Sequence, residues 1–150
     1  MRNPGLSGES PPDTTLAFIP AEARTIILRH PPPDNSEFAQ LVFPAQAFGN
    51  STDSVRVTLR ARPGAYGLEL VLPGSPGKGS IIRFKYPVHF ALPKGAQDFG
   101  GAAGYERALS IAHQVAADRY NVLKTRRPGP DNLEADLDGP GPYVVAAVRH

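Results

Sequence analysis

The stretch that decides the fold is LVFPAQAFG, residues 41–49. An apolar run meets Pro44, continues through two alanines to Phe48, and is followed by polar residues. Proline has no amide donor and its ring crowds the preceding helical turn, so a helix does not continue through Pro44. The stretch instead predicts a strand that ends at Phe43, then a compact corner that returns Phe48 to a core.

The composition favours one domain built from many short elements. The chain has 150 residues, enough for one core, and its 15 glycines and 17 prolines fall between short apolar runs. Cysteine is absent, which excludes disulfides, thiolate metal centres and cysteine nucleophiles. The formal net charge of +2 is too small to indicate a nucleic-acid-binding protein.

Apolar residues alternate with polar ones along most of the chain, which is typical of half-buried strands. The spacing predicts eight or nine antiparallel strands in an all-β, immunoglobulin-like β-sandwich whose two apolar faces lie about 10 Å apart. The predicted strands span residues 24–29, 38–43, 55–60, 66–72, 81–90, 105–117, 120–124, 133–138 and 143–148.

Three segments fit this pattern less directly. Residues 1–22 are rich in Pro, Gly, Ser and Thr and predict a flexible leader, which leaves residues 23–150 for the sandwich. Residues 92–104 are glycine-rich and predict a loop. Residues 105–117 fit one face of a helix or one face of a strand, and the turn-like ADRYN that follows favours the strand. No run approaches the ~20 apolar residues that cross a bilayer, and the N-terminus has no signal-peptide pattern.

The order of these elements resembles a known family. EFAQLVFPAQAFGNSTDSVRVTLRARPG (residues 37–64) is similar to the opening of the β-sandwich domain shared by ankyrins, netrin receptors and death-domain adaptors. KYPVHF (residues 85–90) and YNVLKTRRPGPDNLEADLDGPGPYVVAAV (residues 120–148) resemble its ending. Gln46 stands where the family usually has glycine, so we expect the corner to avoid positive φ there.

The resemblance carries expectations about activity and location. Some family members cut themselves at His-Phe-Ser, but the similar tripeptide here is His89-Phe90-Ala91, and alanine offers no nucleophile. Bacterial relatives are found in envelope lipoproteins and secreted proteins. The resemblance therefore implies a non-catalytic module of the cell envelope or the extracellular space, with a cytoplasmic location left open.

Four basic residues are the predicted partner-binding site: Arg56 and Arg60 on one predicted strand, and Arg83 and Lys85 on another. If the two strands are neighbours in one sheet, these side chains form a basic stripe that binds an acidic protein partner or an anionic glycan. The alternative is an ordinary solvated face. The run KTRR, residues 124–127, is interpreted as solvated charge.

Metal and catalytic sites have weaker signals. Glu134, Asp136 and Asp138, with Asp131 nearby, would line one strand face and offer oxygen ligands for calcium, or would simply be its solvated side. The four histidines lack ligand spacing. Ser110 and His113 are three residues apart, which places them on opposite sides of a strand. The sequence therefore predicts no cofactor, metal or catalytic residue.

The function predicted from the sequence is a non-enzymatic structural or protein-interaction module. The mechanism is surface complementarity, in which an edge strand pairs with a partner or with a second copy, and residues 83–90 are the predicted edge. The alternatives are a small hydrolase and a carbohydrate-binding module that reads sugars through the basic stripe and tyrosines. The candidate tyrosines are Tyr66, Tyr86, Tyr105 and Tyr120.

Overall fold

Two antiparallel sheets, one of six strands and one of five, bury a single apolar core between them. The computed structural model describes residues 5–6, 11–33, 35–50, 52–61, 66–85, 90–91, 94–129 and 132–148. The strands are β1 (Gly5–Leu6), β2 (Thr14–Phe18), β3 (Arg24–Arg29), β4 (Glu37–Phe43), β5 (Val55–Ala61), β6 (Gly67–Val71), β7 (Ile81–Lys85), β8 (Phe90–Ala91), β9 (Leu109–Ala116), β10 (Arg119–Val122), β11 (Arg126–Gly129), β12 (Asn132–Asp136) and β13 (Gly141–Ala147). The predicted all-β sandwich is confirmed, with more strands than the eight or nine expected.

The chain crosses repeatedly from one sheet to the other. The six-stranded sheet has the order β10-β9-β13-β6-β5-β2, and the five-stranded sheet has the order β11-β12-β7-β4-β3. A separate short pair joins β1 to β8. Consecutive strands such as β2 and β3, or β12 and β13, therefore belong to opposite sheets, so their connections lie at the ends of the sandwich.

The corner after β4 carries the chain from the five-stranded to the six-stranded sheet, as residues 41–49 predict. Its aromatic ring, Phe48, lies 5.1 Å from Phe43 and 6.3 Å from Phe18 between ring centroids. Phe18 belongs to the six-stranded sheet and Phe43 to the five-stranded sheet. The three rings therefore close one end of the core.

A β-bulge in β4 places an aromatic ring in the middle of the core. Leu28 pairs with Ala39 and Arg29 pairs with Glu37, so Phe38 is an extra residue in β4. The bulge turns Phe38 inward beside its buried neighbour Ala39. Inside, Phe38 stacks on Tyr66 at 5.7 Å and meets Phe84 edge-on at 5.8 Å. Burial raises the pKa of the Tyr66 hydroxyl above its ordinary value of 10.0.

The N-terminal prediction is wrong for the segment that contains β2. That strand pairs with β5 along five residues, and Phe18 is almost fully buried. A run with few apolar residues thus joins the sheet because Phe18 reaches the core. The ordered part of the sandwich begins before residue 23.

Two further predictions need correction. A loop was expected over residues 92–104 and a strand over residues 105–117. Instead, Lys94–Phe99 forms a 3₁₀ helix and Ala102–Arg107 forms α1, so Tyr105 is helical and only Leu109–Ala116 of the ambiguous segment is strand. The ring of Phe99 packs edge-on against Tyr105 at 5.6 Å, which fixes the short helix on the core. Neither helix, nor any other among the described residues, is long and apolar enough to cross a bilayer.

The corner also differs from expectation in its backbone, because Gln46 has a φ of 65°. Hydrogen bonds hold this conformation: the Gln46 amide donates to the Pro20 carbonyl at 2.8 Å, and the Gly49 amide donates to the Gln46 carbonyl at 3.1 Å. A left-handed conformation costs a non-glycine residue about 1–2 kcal/mol. Glycine would adopt the same backbone geometry at a lower free-energy cost.

We expect Gln46→Gly to stabilise the protein by about 0.5–1 kcal/mol, because relief of the strain exceeds the added freedom of the unfolded chain. The side chain of Gln46 is exposed, so its removal costs no packing. Urea unfolding measures the change. The matched control is Ala45→Gly, at an exposed neighbour without positive φ, which should destabilise. Equal effects of the two variants would contradict the assignment of strain to Gln46.

Candidate interaction surfaces

The four predicted basic residues lie on two different sheets and do not form one stripe. Arg56 and Arg60 belong to β5 in the six-stranded sheet, whereas Arg83 and Lys85 belong to β7 in the five-stranded sheet. The chain changes sheets between β6 and β7, which the alternation of polar and apolar residues does not reveal. The condition for a common stripe is therefore not met, and the binding role of each residue stays a prediction.

The outer face of the six-stranded sheet carries Arg56 and Arg60 as exposed side chains. Arg60 lies 3.8 Å from Glu69 and 4.0 Å from Asp13, both exposed, so these ion pairs contribute little to stability. Nearby, the hydroxyls of Thr15 and Thr58 share a hydrogen bond of 2.9 Å across β2 and β5. This part of the face is mostly polar, and Val71, opposite Thr58 on β6, is exposed beside it.

The outer face of the five-stranded sheet carries Arg83 in a network that crosses the sheet. One row of paired residues runs from β11 to β3, in the order Arg126, Glu134, Arg83, Gln40 and Ile27. Arg83 donates to Glu134 at 2.5 Å and to the Gln40 amide oxygen at 3.2 Å. Arg126 donates to the other Glu134 oxygen at 3.1 Å. Glu134 thus joins two arginines from its two neighbouring strands.

Two opposed effects act on the pKa of Glu134. Partial burial acts to raise it, but hydrogen bonds and charge from Arg83 and Arg126 outweigh burial and hold the pKa below its ordinary value. The hydrogen bond to Glu134 in turn raises the pKa of Arg126. Both groups are therefore ionised, and Arg83 is used by the sheet itself rather than presented freely to a partner.

The carboxylates considered as calcium ligands are also engaged by other side chains of this chain. Glu134 binds the two arginines, Asp136 accepts from Arg126 at 3.0 Å, and Asp138 contacts His113 at 3.1 Å. Asp138 lies beyond the end of β12, so the three carboxylates do not share one strand face. Within the described ranges, no cluster of three metal-ligating side chains occurs, and Asp131 lies outside those ranges.

His113 fastens the connection between β12 and β13. Its ring is buried, and stacks on Tyr143 with 4.4 Å between centroids and 7° between planes. Nε2 lies 2.8 Å from the Pro140 carbonyl, which only accepts, so Nε2 is protonated and donates. Nδ1 faces the Asp138 carboxylate. With both nitrogens engaged by the turn, His113 is positioned to hold structure and not to act as a base.

Tyr143 completes this cluster from the other side. Its hydroxyl donates to the Gly139 carbonyl at 2.7 Å and accepts from the Asp138 amide at 2.7 Å. The turn needs glycine at position 141 for two reasons. A Cβ there would lie 3.2 Å from His113 Nε2, and the φ of 119° disfavours any other residue. Burial raises the pKa of Tyr143 to about 12.

The remaining candidates are placed as follows. Ser110 and His113 lie on a strand with two residues between them, and His113 points into the sandwich, so they do not form a pair. His30 is buried edge-on to Phe38 at 5.4 Å, while His89 and His150 lie outside the described residues. Tyr66 and Tyr105 are fully buried and offer no platform for a sugar. Tyr120 is partly exposed on β10, and Tyr86 is not among the described residues.

The predicted edge is wrong where the structure describes it. β7, which holds residues 81–85, lies between β12 and β4 in the middle of its sheet. Residues 86–89 lie outside the described ranges, and Phe90–Ala91 pairs with Gly5–Leu6. Strong alternation is consistent with either an edge or a central position, because the neighbours of a strand come from distant parts of the chain.

The five-stranded sheet has two edge strands, β11 and β3, and β3 pairs only with β4 in the described part of the chain. Its sequence RTIILR has six residues, and Ile27 at its centre is 39% exposed. The β-branched run of residues 24–29 predicts this strand but not its edge position. The sequence does carry one signal of the edge: an arginine stands at each end of the strand, and charged residues are common on edge strands.

Comparisons with protein-family models, with curated proteins and with solved structures yield no match. The resemblance to the sandwich domain of ankyrins and netrin receptors therefore stays a prediction from the quoted residues. The function has to be argued from the surfaces described above.

Glu134→Gln should destabilise the protein by about 1–3 kcal/mol at neutral pH, because two arginines lose a charged acceptor. Since the folded state lowers the pKa of Glu134, its contribution is present at neutral pH and is lost as pH falls through the folded-state pKa. Urea titrations at several pH values should show variant and parent converging in acid. Glu69→Gln, in an exposed pair at 3.8 Å, is the control and should cost about 0–1 kcal/mol. An equal cost for both would contradict the network.

Tyr143→Phe should cost about 1–3 kcal/mol at pH 8, because the Asp138 amide and the Gly139 carbonyl lose their partner. The folded state keeps the Tyr143 proton up to a pKa of about 12, whereas the unfolded state loses it near 10.0. The difference between parent and variant should therefore shrink above pH 10, by about 1.4 kcal/mol per pH unit.

Urea unfolding at pH 8 and pH 11 tests this, with Tyr120→Phe on the partly exposed edge strand β10 as the control. A parent–variant difference that stays constant between the two pH values would show that the Tyr143 hydroxyl is not the group that titrates.

Proposed function

We propose that this chain is a non-enzymatic protein-interaction module that serves a structural role at the cell envelope or outside the cell. The observation that carries the proposal is the open edge of the five-stranded sheet, where β3 has a neighbour on one side only among the described residues. An extended segment of another protein can extend such a sheet through backbone hydrogen bonds. The proposed location rests on the resemblance alone.

The polar side chains best suited to chemistry already have partners within the fold, which supports a non-enzymatic role. His113, the residue best suited to acid–base chemistry, is buried and has both ring nitrogens engaged. Arg83, Arg126 and Glu134 are paired with each other on an open sheet face. Groups held in this way stabilise the fold, and neither ring nitrogen of His113 is left for proton exchange with a substrate.

A carbohydrate-binding module is the second candidate, and the outer face of the six-stranded sheet favours it. Arg56 and Arg60 are exposed there beside the hydroxyl pair of Thr15 and Thr58, and polar groups on an open face suit an anionic glycan. The burial of Tyr66 and Tyr105 removes two of its aromatic platforms, so this candidate ranks below protein interaction.

Site-specific photocrosslinking in the host tests the proposal. A photoreactive residue at Thr25 on β3, Ala17 on β2, Asn121 on β10 or Arg127 on β11 probes the four edges, and one at Val71 on the exposed sheet face is the control. We expect crosslinks from at least one edge, mapped by mass spectrometry to one extended segment of one envelope or extracellular protein.

Crosslinks from the Val71 face alone, together with specific hits of the protein on a glycan array, would favour the carbohydrate-binding alternative. Turnover of ester, phosphate or glycoside substrates that disappears in His113→Ala would overturn the non-enzymatic assignment, as would the absence of crosslinks from every edge.

A further inference from the structure

The backbone groups of β3 that face the open edge can be assigned from one hydrogen bond. The His30 amide donates to the Ser36 carbonyl at 2.8 Å, on either side of the paired residues Arg29 and Glu37. In an antiparallel ladder this pattern belongs to a pair whose own amides and carbonyls point away from each other. Arg29, and by alternation Ile27 and Thr25, therefore direct their amides and carbonyls away from β4.

The open edge is regular over its whole length. Each of the three residues offers one donor and one acceptor, and successive sets are about 6.6–6.8 Å apart along the strand. The bulge beside β3 is in β4, so it does not interrupt this series. A second strand could therefore pair with residues 24–29 without a break in the ladder.

We propose that β3 is a strand-addition site for an extended segment of a partner protein that has an apolar centre and acidic ends. This inference rests on the proposed interaction function and adds the surface and the chemistry of the partner. The partner strand would extend the five-stranded sheet to six.

The side chains of β3 define the chemistry. Ile27 is 39% exposed at the centre of the strand, and an apolar residue opposite it would be covered on the outer face. The arginine side chains at the two ends are 39% exposed for Arg24 and 51% for Arg29. Their present ion pairs, with Glu22 at 3.8 Å and Glu37 at 3.9 Å, are long and exposed. Arg29 also donates from one terminal nitrogen to the Asn35 carbonyl at 3.1 Å, and the Arg24 guanidinium lies over the Phe18 ring at 5.7 Å. Each guanidinium group has five N–H donors, so these contacts leave donors for a carboxylate of the partner.

The residues of β3 favour an acidic partner over a second copy of this chain. If two β3 strands pair about Ile27, Arg29 of each copy lies opposite Thr25 of the other on the outer face, and Arg24 lies opposite His30 on the inner face. Neither arginine then meets a carboxylate, whereas a partner with acidic ends supplies one at each end.

Two of the other three edges are less suited. β11 contains Pro128 and an extra residue in its pairing with β12, and β10 has only four residues. Proline cannot donate to a ladder, and a bulge turns an edge away from a straight partner. β2 is regular over five residues and is the natural edge for comparison.

The probe is a fluorescein-labelled hexapeptide, Glu-Thr-Val-Val-Thr-Glu, whose sequence reads the same in both directions. Fluorescence anisotropy should show saturable binding to the parent protein, and amide NMR shifts should change along residues 24–29. The double variant Arg24→Glu/Arg29→Glu should weaken binding by about tenfold or more. That variant should instead bind the charge-reversed peptide Lys-Thr-Val-Val-Thr-Lys, which the parent should not.

Ile27→Pro removes an amide donor on the open side and should also abolish binding, while its unfolding midpoint reports whether the β3–β4 pairing survives. Arg56→Glu/Arg60→Glu, on the other sheet, is the matched control and should leave the affinity unchanged.

Four outcomes would overturn the assignment: no saturable binding, shifts that map to β2 or β10, an affinity insensitive to charge reversal at β3, or a dimer of the parent that Ile27→Pro dissolves. Crosslinks from β2, β10 or β11 in the host, with none from Thr25, would remove β3 as the site while the interaction function stands. An absence of crosslinks at every edge would remove the interaction function itself.

Discussion

The inward position of Phe38 is the constraint on which the rest of the sandwich depends. Its ring stacks on Tyr66 of the six-stranded side and meets Phe84 of the five-stranded side, so it joins both layers. In a regular β4 it would share the outward face of Gln40 and Val42, because side chains alternate along a strand. The bulge removes that conflict, since it places Phe38 and Ala39 inside in succession.

The same bulge determines what the outside of the sheet presents. It pairs Leu28 with Ala39 and Arg29 with Glu37, and so fixes the register of β3. That register buries Ile26 and Leu28 and exposes Ile27. It also directs the amides and carbonyls of alternate residues toward the open edge. Core packing and the proposed binding edge therefore follow from one irregularity in β4.

The ends of the sandwich are held by bonds between groups of different strands. At one end the rings of Phe18, Phe43 and Phe48 close the core across the two sheets. At a second crossover, the turn from β12 to β13 is fixed by His113 and Tyr143 through four hydrogen bonds. His113 of β9 thus holds a turn that is distant in sequence. This role needs no second histidine at metal-ligand spacing, and none is present.

The sequence predicts those parts of the fold that depend on local alternation. β5 and β12 alternate strictly, and the corner at Pro44 and Phe48 follows from the missing donor of proline and the need to bury an aromatic ring. It does not reveal features that depend on distant partners. The central position of β7 comes from its pairing with β4 and β12, and the two-sheet division of the arginines comes from the crossover after β6. Gln46 shows a third limit, because tertiary hydrogen bonds impose a φ that its residue type disfavours.

Edge strands need protection against unwanted pairing, and this sandwich protects its edges unequally. β11 has a proline and an extra residue within the edge strand, and β10 is short. β3 has neither device: the extra residue of its ladder lies in β4, and its own protection is limited to a charge at each end. Terminal arginines repel strands with basic ends but attract a strand with acidic ends. Protection of this kind excludes most partners and admits one class, which is the property expected of a selective binding edge.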